Sequence, residues 1–243
     1  MTNGTVVVIG AGALDGIGGA LAHRFAKEGN RVLVTGKTAA KVEQVAETLS
    51  QEGLAVQAMK VDVTSEADQD ALFSRIADDG DELKAVLFNA GNNAVIPFEQ
   101  VTSKQFEDFW RIGCFGAFLT AKRALPLLEK QGSGSLFFTG ASGSLRGKPS
   151  FAHFASMKAG LRMLAQSLAR EYGPRGVHVA HIVIDGIVAG QRAKTHLAQY
   201  VDALGEDGTL SPTAIADTFW HLHTQPRSAW THELELRPFK ENW

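Results

Sequence analysis

The sequence predicts an α/β fold, a doubly wound parallel sheet of seven strands with helices on both faces. Three observations carry this. Short runs such as TVVVI at 5–9 and AVLF at 85–88 are apolar throughout, as strands buried on both faces are. Segments of helical spacing separate these runs along the whole chain. A glycine-rich turn, GAGALDGIG, follows the first run directly. Parallel strands need crossover connections, usually helical and right-handed, so this alternation implies one parallel sheet.

In order, Thr5–Ile9 is the first strand. Gly19–Glu28 is the first helix, with Leu21, Ala22, Phe25 and Ala26 on one face and Gly29-Asn30 as its stop. Arg31–Thr35 is the second strand, and a helix over Lys41–Ser50 leads to the third, Ala55–Val61, which ends in Asp62. Thr64–Asp68 has the spacing of a capped start for a helix from Ser65 to Asp78. Ala85–Phe88 is the fourth strand and runs into Asn89-Ala90-Gly91. A long helix begins over Thr102–Trp110 and passes Gly113 and Gly116 to about Leu128. Gly134–Thr139 is the fifth strand. Phe154–Tyr172 is a long helix with Leu161, Leu164, Ala165 and Leu168 on one side, stopped by Gly173-Pro174. Val177–Ile184 is the sixth strand, and Gly186–Leu210 is polar and irregular with one short helix. Ser211-Pro212 reads as an N-cap with Pro at the first helical position, opening a helix that ends before Gln225-Pro226. Trp230–Leu236 is the seventh strand.

Composition narrows the function. The 243 residues read as one domain, 1–243, with no internal repeat or linker. Lys and Arg number 24 against 26 Asp and Glu, for a net charge of −2, which gives no support for nucleic-acid or membrane-surface binding. Cys114 is the only cysteine, so no intrachain disulfide forms. With a strand entered by Thr5, and no apolar run near the ~20 residues of a membrane span, the expectation is a cytoplasmic protein without a signal peptide. No residue is assigned to a metal.

Ligands of doubly wound sheets bind beyond the carboxyl ends of the strands. Those ends hold Gly12–Gly18, Lys37, Asp62, Asn89–Gly91, Gly140–Ser144 and Asp185–Ile187. Gly12, Gly16 and Gly18 form G-x3-G-x-G between a strand and a helix. Glycines there let backbone approach a phosphate, and the helix start offers free N–H groups and a positive dipole end, so the motif points to a dinucleotide.

On these residues the chain resembles the short-chain dehydrogenase/reductase family over nearly its whole length. AGALDGIG resembles the family's glycine motif, VDV at 61–63 its adenine-pocket motif and NAG at 89–91 its sheet-stabilising motif. FASMK at 154–158 stands where the family has YxxxK. The resemblance implies a Rossmann-type fold, a nicotinamide cofactor and hydride transfer to or from a carbonyl or alcohol. It implies cofactor contacts from Gly12, Gly16, Ile17 and Gly18, from Asp62 to the adenine amino group with Val63 beneath the ring, and from Asn89, Ala90 and Gly91, Asn89 chiefly bracing strands. Gly186 and Ile187 would bring backbone to the carboxamide, and Lys158 would hold the ribose hydroxyls.

The sequence departs from the family at the chemistry. The Tyr position is Phe154, the Asn position is Gly113, and the Ser position is Ala141 or, with a loop one residue shorter, Ser142. Gly190 stands near a family Thr. His153 has a pKa suited to proton transfer, or is a partly exposed helix-start or interface histidine, since adjacent helical residues diverge by about 100°. Ser142 and Ser144 either bond a substrate carbonyl or serve the turn. Asp185, at a family Pro, is an acid, a partner of Lys158 or a turn residue.

The end of the second strand carries Lys37 and Thr38 and no carboxylate, which favours NADP. Asp15, where NADP users often have a basic residue, keeps NAD possible. Two functions follow. One is an NAD(P)-dependent oxidoreductase acting on a small carbonyl, imine or activated alkene with an altered proton donor, its catalytic set drawn from Lys158, Ser142, Phe154 and His153 and its substrate loop at about 186–212. The other is a nucleotide-binding module with little or no turnover, a sensor or partner subunit. Family habit implies a homodimer or homotetramer through the helices around 102–128 and 154–172.

Overall fold

Apolar runs that read as continuous do so because each strand is covered twice. In a computed structural model, which describes residues 3–196 and 198–241, seven parallel strands form one sheet in the order β3-β2-β1-β4-β5-β6-β7. They are β1 (Thr5–Ile9), β2 (Arg31–Gly36), β3 (Val56–Lys60), β4 (Leu83–Phe88), β5 (Ser135–Thr139), β6 (His178–Ile184) and β7 (Glu233–Leu236). The helices are α1 (Ile17–Lys27), α2 (Ala39–Gln51), α3 (Glu66–Asp78), α4 (Ser103–Trp110), α5 (Gly116–Gln131), α6 (Ala152–Tyr172), α7 (Gln191–His196), α8 (Ala198–Leu204) and α9 (Pro212–His223). Val6, Val8, Phe137 and Ile182 pack with Phe25 of α1, Leu49 of α2 and Phe219 of α9. Val7, Phe88, Leu136 and Phe138 pack on the other face with Leu72 of α3, Leu128 of α5 and Leu161 of α6. This is the Rossmann-type architecture expected. The strand order reverses between β1 and β4, and the connections leaving these two neighbours diverge, which opens a crevice at their carboxyl ends.

The helix starts read from the sequence are capped by side chains. Ser65 accepts from the Asp68 N–H at 3.2 Å, Thr102 and Gln105 form a reciprocal capping box, and Ser211 accepts from the Ala214 N–H.

Three segments differ from expectation. The long helix from 102 is interrupted by a π-helical turn, Arg111–Phe115, between α4 and α5. That turn lays Gly113 on the Met157 side chain of α6, and the helix beyond it lays Gly116 on Val63. The 186–210 segment holds two short helices, α7 and α8, rather than one, and its base is closed by a bridge between Val188 and Leu210. The last strand begins at Glu233 rather than Trp230, because Trp230 stacks on His178 with ring centroids 4.7 Å apart and planes 3° from parallel. The ends of α1 and α2 also shift by one to two residues.

Two histidines packed into the interior are held neutral. His223 lies with Nδ1 2.9 Å from the Ser135 hydroxyl, and His181 is fully buried on β6. Burial pushes the pKa of each down to about 4. The unfolded chain then takes up these protons near pH 6.5 and the fold only near pH 4. Stability therefore falls as pH drops through that window, by up to about 3 kcal/mol for His181 and by less for the partly buried His223. The urea midpoint is expected to drop between pH 7 and pH 4.5, and His223→Gln to flatten that drop. An unchanged pH dependence in the variant would show that His223 titrates normally.

Candidate active site

The crevice begins with a close approach of backbone. A Cβ on Gly18 would lie 2.6 Å from the Gly10 carbonyl oxygen and 2.7 Å from the Ala11 Cα, so only glycine lets α1 start against the end of β1. Gly16 is the N-cap of α1 and makes no side-chain capping bond, which leaves the N–H groups from Ile17 onward facing the turn. A Cβ on Gly12 would meet only open space. From β4 the Asn89 amide donates to the Gly10 carbonyl at 2.9 Å and ties the strand end to the turn. Between these elements runs a cleft of about 690 Å³, walled by Gly12, Lys37, Asp62, Val63, Gly91 and Phe109 among others.

At its outer end Lys37 Nζ lies 2.8 Å from Asp62 Oδ2, while Asp62 Oδ1 accepts from the Thr64 N–H and hydroxyl at 3.0 and 2.8 Å. Burial works to raise the Asp62 pKa, but the bonds from Lys37 and Thr64 outweigh it and the net shift is down. The same bond to Asp62 raises the pKa of Lys37, whose side chain is 79% exposed. Asp62, beyond the end of β3, and Lys37, just after β2, thus hold one another across the mouth. Lys41, in the first turn of α2, joins Lys37 and Thr38 on this wall. Thr38 is the N-cap of α2, and its hydroxyl makes no capping bond.

At the inner end Lys158 is buried, and its Nζ donates to the Thr139 carbonyl at 2.7 Å. Burial pushes its pKa down to about 8. A Cβ on Gly91, a residue of the cleft wall, would sit 3.7 Å from that nitrogen. Phe154, one turn earlier on α6, lies with its ring centroid 5.9 Å from Lys158 Nζ and its ring edge against Gly143. Ser142 to Ser144 form a 3-10 turn. The Ser144 hydroxyl is spent on the Ala141 carbonyl at 2.7 Å, whereas the Ser142 hydroxyl has no hydrogen-bond partner among the described residues.

Other candidates are placed elsewhere. His153 is 1% exposed rather than partly exposed, because its ring packs edge-on to Phe109 at 4.4 Å with Nε2 3.1 Å from the Ala94 carbonyl. It does not line the cleft. Asp185 is buried and accepts from Arg146 Nη2 with both oxygens, at 2.8 and 2.6 Å, so its partner is Arg146 and not Lys158. Gly186 lies under Pro238, and the Ile187 carbonyl accepts from the Leu210 N–H. Asp15 accepts from the Gln191 N–H at 2.5 Å, which fastens the segment after β6 onto the glycine turn. The side chains of Arg192 and Lys194 lie outside the described residues. Sequence reading missed Lys41, signalled only by its four-residue spacing from Lys37, and the pairing of Arg146 with Asp185. It also missed a part-buried set in which His181 Nδ1 lies 2.9 Å from Glu233, itself gripped by Arg162 with two bonds of 2.7 Å.

A model of the short chain dehydrogenase family matches residues 5–200. The chain belongs to that family. Oxidoreductase asL5 of Sarocladium schorii is 31% identical to this short-chain dehydrogenase over 208 residues, covering 86% of this chain and 78% of that one. An uncharacterized oxidoreductase of Staphylococcus aureus (strain USA300) is 26% identical over 241 residues, 98% of both chains. A short-chain dehydrogenase from Rhodopseudomonas palustris, of known structure, is 35% identical with a TM-score of 0.83, covering 98% of this chain and all of that one. A variant of actinorhodin polyketide ketoreductase, solved with NADPH, shares the fold at 20% identity and a TM-score of 0.88 over the whole of both chains. These relatives make the short-chain dehydrogenase an oxidoreductase by family.

Gly113 explains why one position resists an amide side chain in this short-chain dehydrogenase. A Cβ there would run into the Met157 sulfur and lie 2.6 Å from Met157 Cγ, and Met157 is fully buried. Gly113→Asn should therefore destabilise the protein by roughly 1–3 kcal/mol through overpacking, and Met157→Ala should recover part of that loss. Urea denaturation of the single and double variants measures both effects.

Proposed function

We propose that this short-chain dehydrogenase is an NADP-dependent reductase of small carbonyl, imine or activated-alkene substrates, with Phe154 in place of the phenol that family members use as proton donor. The observation that carries the reading is one cleft walled by Gly10 and Gly12 of the glycine turn, Lys37 and Thr38 after β2, Asp62 and Val63 after β3, and Asn89, Ala90 and Gly91 after β4. The actinorhodin ketoreductase, solved with NADPH, shares this architecture. The residues present fit a nicotinamide dinucleotide, since the glycine turn leaves the space and the N–H groups that a diphosphate requires.

When bound, the nucleotide supplies a hydride. The chain's own residues bind, orient and dehydrate. Ile17 and the first turn of α1 take the diphosphate, with Gly12, Gly16 and Gly18 admitting it. Asp62 and Val63 take the adenine, and Ala90 and Gly91 form the floor beside it. Lys158 holds the ribose hydroxyls, and the backbone at Gly186 and Ile187 faces the carboxamide. Lys37, Thr38 and Lys41 form a basic, hydroxyl-bearing corner with no carboxylate at the end of β2, suited to a 2′-phosphate. Lys37 must leave Asp62 to reach it, and an exposed ion pair gives up little on breaking. Phe154 excludes water, and the unpartnered Ser142 hydroxyl is free to orient a substrate heteroatom.

The same reading includes a homo-oligomer. Trp110, Phe118 and Met163 are 41%, 43% and 48% exposed on α4, α5 and α6, and Phe115 stacks between Trp110 and Phe118 at 6.1 Å from each. An exposed aromatic row of this kind marks an interaction face, and the two long helical segments that carry it pair with those of a second copy.

Titration with NADPH and NADH, followed by nicotinamide fluorescence, tests the cofactor. NADPH should bind about tenfold tighter or more, and Lys37→Ala with Lys41→Ala should close most of that gap. Equal affinities would remove the 2′-phosphate assignment. Failure to bind either nucleotide would promote the sensor or partner-subunit reading. Light scattering at micromolar concentration should give a dimer or tetramer, and Trp110→Asp with Phe118→Asp a smaller species; a monomeric parent protein would overturn the interface.

A further inference from the structure

We propose that Asp108 of α4 is a second acceptor for the adenine amino group, so that the cleft reads this group with two carboxylates, Asp62 and Asp108. The inference rests on the nucleotide-binding part of the reading above and adds a base-recognition residue to it.

Helix periodicity places the residue. Gly116, at the start of α5, lies on Val63, since a Cβ there would sit 2.9 Å from Val63 Cγ2. Counting back by turns along the same helical segment reaches Ile112, then Asp108 and Phe109, then Lys104 and Gln105. All five line the cleft. The face that touches Val63 thus continues outward as the α4 wall of the cleft.

On that wall the charges run against helix stability. Lys104 lies in the first turn of α4 and Asp108 one turn later, with Lys104 Nζ 2.8 Å from both carboxylate oxygens. The helix dipole favours the reverse order, acid first and base after. The two side chains are 81% and 48% exposed, where an ion pair adds little. Support of the helix is therefore a poor account of the pair.

The two acids meet at the mouth. Asp62 and Asp108 are the carboxylates among the described residues that line the cleft, and each is held by a lysine at 2.8 Å. Both act on Lys37. Its bond to Asp62 is the chief cause of its raised pKa, and the Asp108 charge adds to the effect.

The donor count fits the base. An adenine amino group offers two N–H donors, and two carboxylates satisfy it, one for each. Asp62 Oδ1 stays with Thr64, while Oδ2 is released when Lys37 turns to the 2′-phosphate. Asp108 keeps lone pairs beyond those that Lys104 occupies. No other polar side chain of the α4 wall can accept. Lys104 and Arg111 only donate, and Gln105 Oε1 is spent on the Thr102 N–H and hydroxyl at 2.9 and 3.1 Å. The same arrangement rejects the wrong base. Hypoxanthine, with a carbonyl in place of the amino group, would turn oxygen lone pairs towards both carboxylates and leave each without its donor.

The experiment compares two nucleotides on the intact protein. NADPH and its deamino analogue, in which hypoxanthine replaces adenine, are titrated separately, and nicotinamide fluorescence gives each Kd. Both carry the same phosphates, so the ratio of the two Kd values isolates the base from any change of charge in the cleft. The wild-type protein should bind NADPH about a hundredfold tighter than the analogue, roughly tenfold from each carboxylate. Asp108→Ala should cut that ratio about tenfold by weakening NADPH alone. Asp108→Asn should tighten the analogue, because an amide N–H donates to the hypoxanthine carbonyl. An unchanged ratio in Asp108→Ala would show that the acid serves only its pair with Lys104 and would overturn the proposal. So would an equal loss of affinity for both nucleotides, or equal affinities in the wild type. Failure to bind NADPH at all would overturn the nucleotide reading and this inference with it, whereas tight NADPH binding indifferent to Asp108 overturns the inference alone.

Discussion

The site depends on one close approach, that of the first turn of α1 to the end of β1 at the strand-order switch. Two parallel neighbours whose connections leave in opposite directions open a crevice whatever their sequence. Whether that crevice can admit a dinucleotide is decided by atoms. Gly18 lets the helix start within a few ångströms of the Gly10 carbonyl, and the Asn89 amide donates to that same carbonyl from β4. One oxygen therefore fixes the relation of strand, helix and neighbouring strand. Any side chain at 18 would push α1 outward and lengthen every contact its N–H groups make. Asp15 extends the constraint, since its carboxylate holds the Gln191 N–H and so seats the segment after β6 on the same turn.

The far wall is organised by volume rather than by hydrogen bonds. Met157 is fully buried and occupies the space a side chain at Gly113 would need. The Phe154 ring fills the space in front of Gly143 on the same helix. Both residues flank Lys158 within one turn of α6, so the aromatic, the thioether and the two glycines form a packed set. Changing one member alone leaves a clash or a cavity, which is why restoring a single polar group here is a packing problem before it is a chemical one.

Much of this architecture was legible in the sequence because burial leaves a pattern. Strands covered on both faces read as unbroken apolar runs, and the boundaries of β1 and of the Ser65-capped helix α3 followed from Val-rich and Ser-x-x-Asp signals. The glycine turn was legible because its spacing sits between a strand and a helix. What was not legible shares one cause: a partner far away in the chain. Arg146 and Asp185 are 39 residues apart, His153 and Ala94 are 59 apart, and neither pairing disturbs any local periodicity. Trp230 carries the alternation of a strand, yet its flat stack on His178 takes the indole out of the ladder. Lys41 read as ordinary helix surface until the end of β2 was laid beside it.

The charges around α6 are distributed unevenly, and this bears on the chemistry. Glu233 is closed by Arg162 and His181, and Asp185 is closed by Arg146. Neither carboxylate bonds to the Lys158 amine, which donates to the Thr139 carbonyl. A buried ammonium with only a carbonyl for company is costly in its charged form, far more so than one facing a carboxylate, so its proton is held loosely. Arg146 Nη2 instead occupies both Asp185 oxygens, at 2.8 and 2.6 Å. The ion pair at the end of β6 thus gives Asp185 a cation other than Lys158, whose own bond goes to the Thr139 carbonyl.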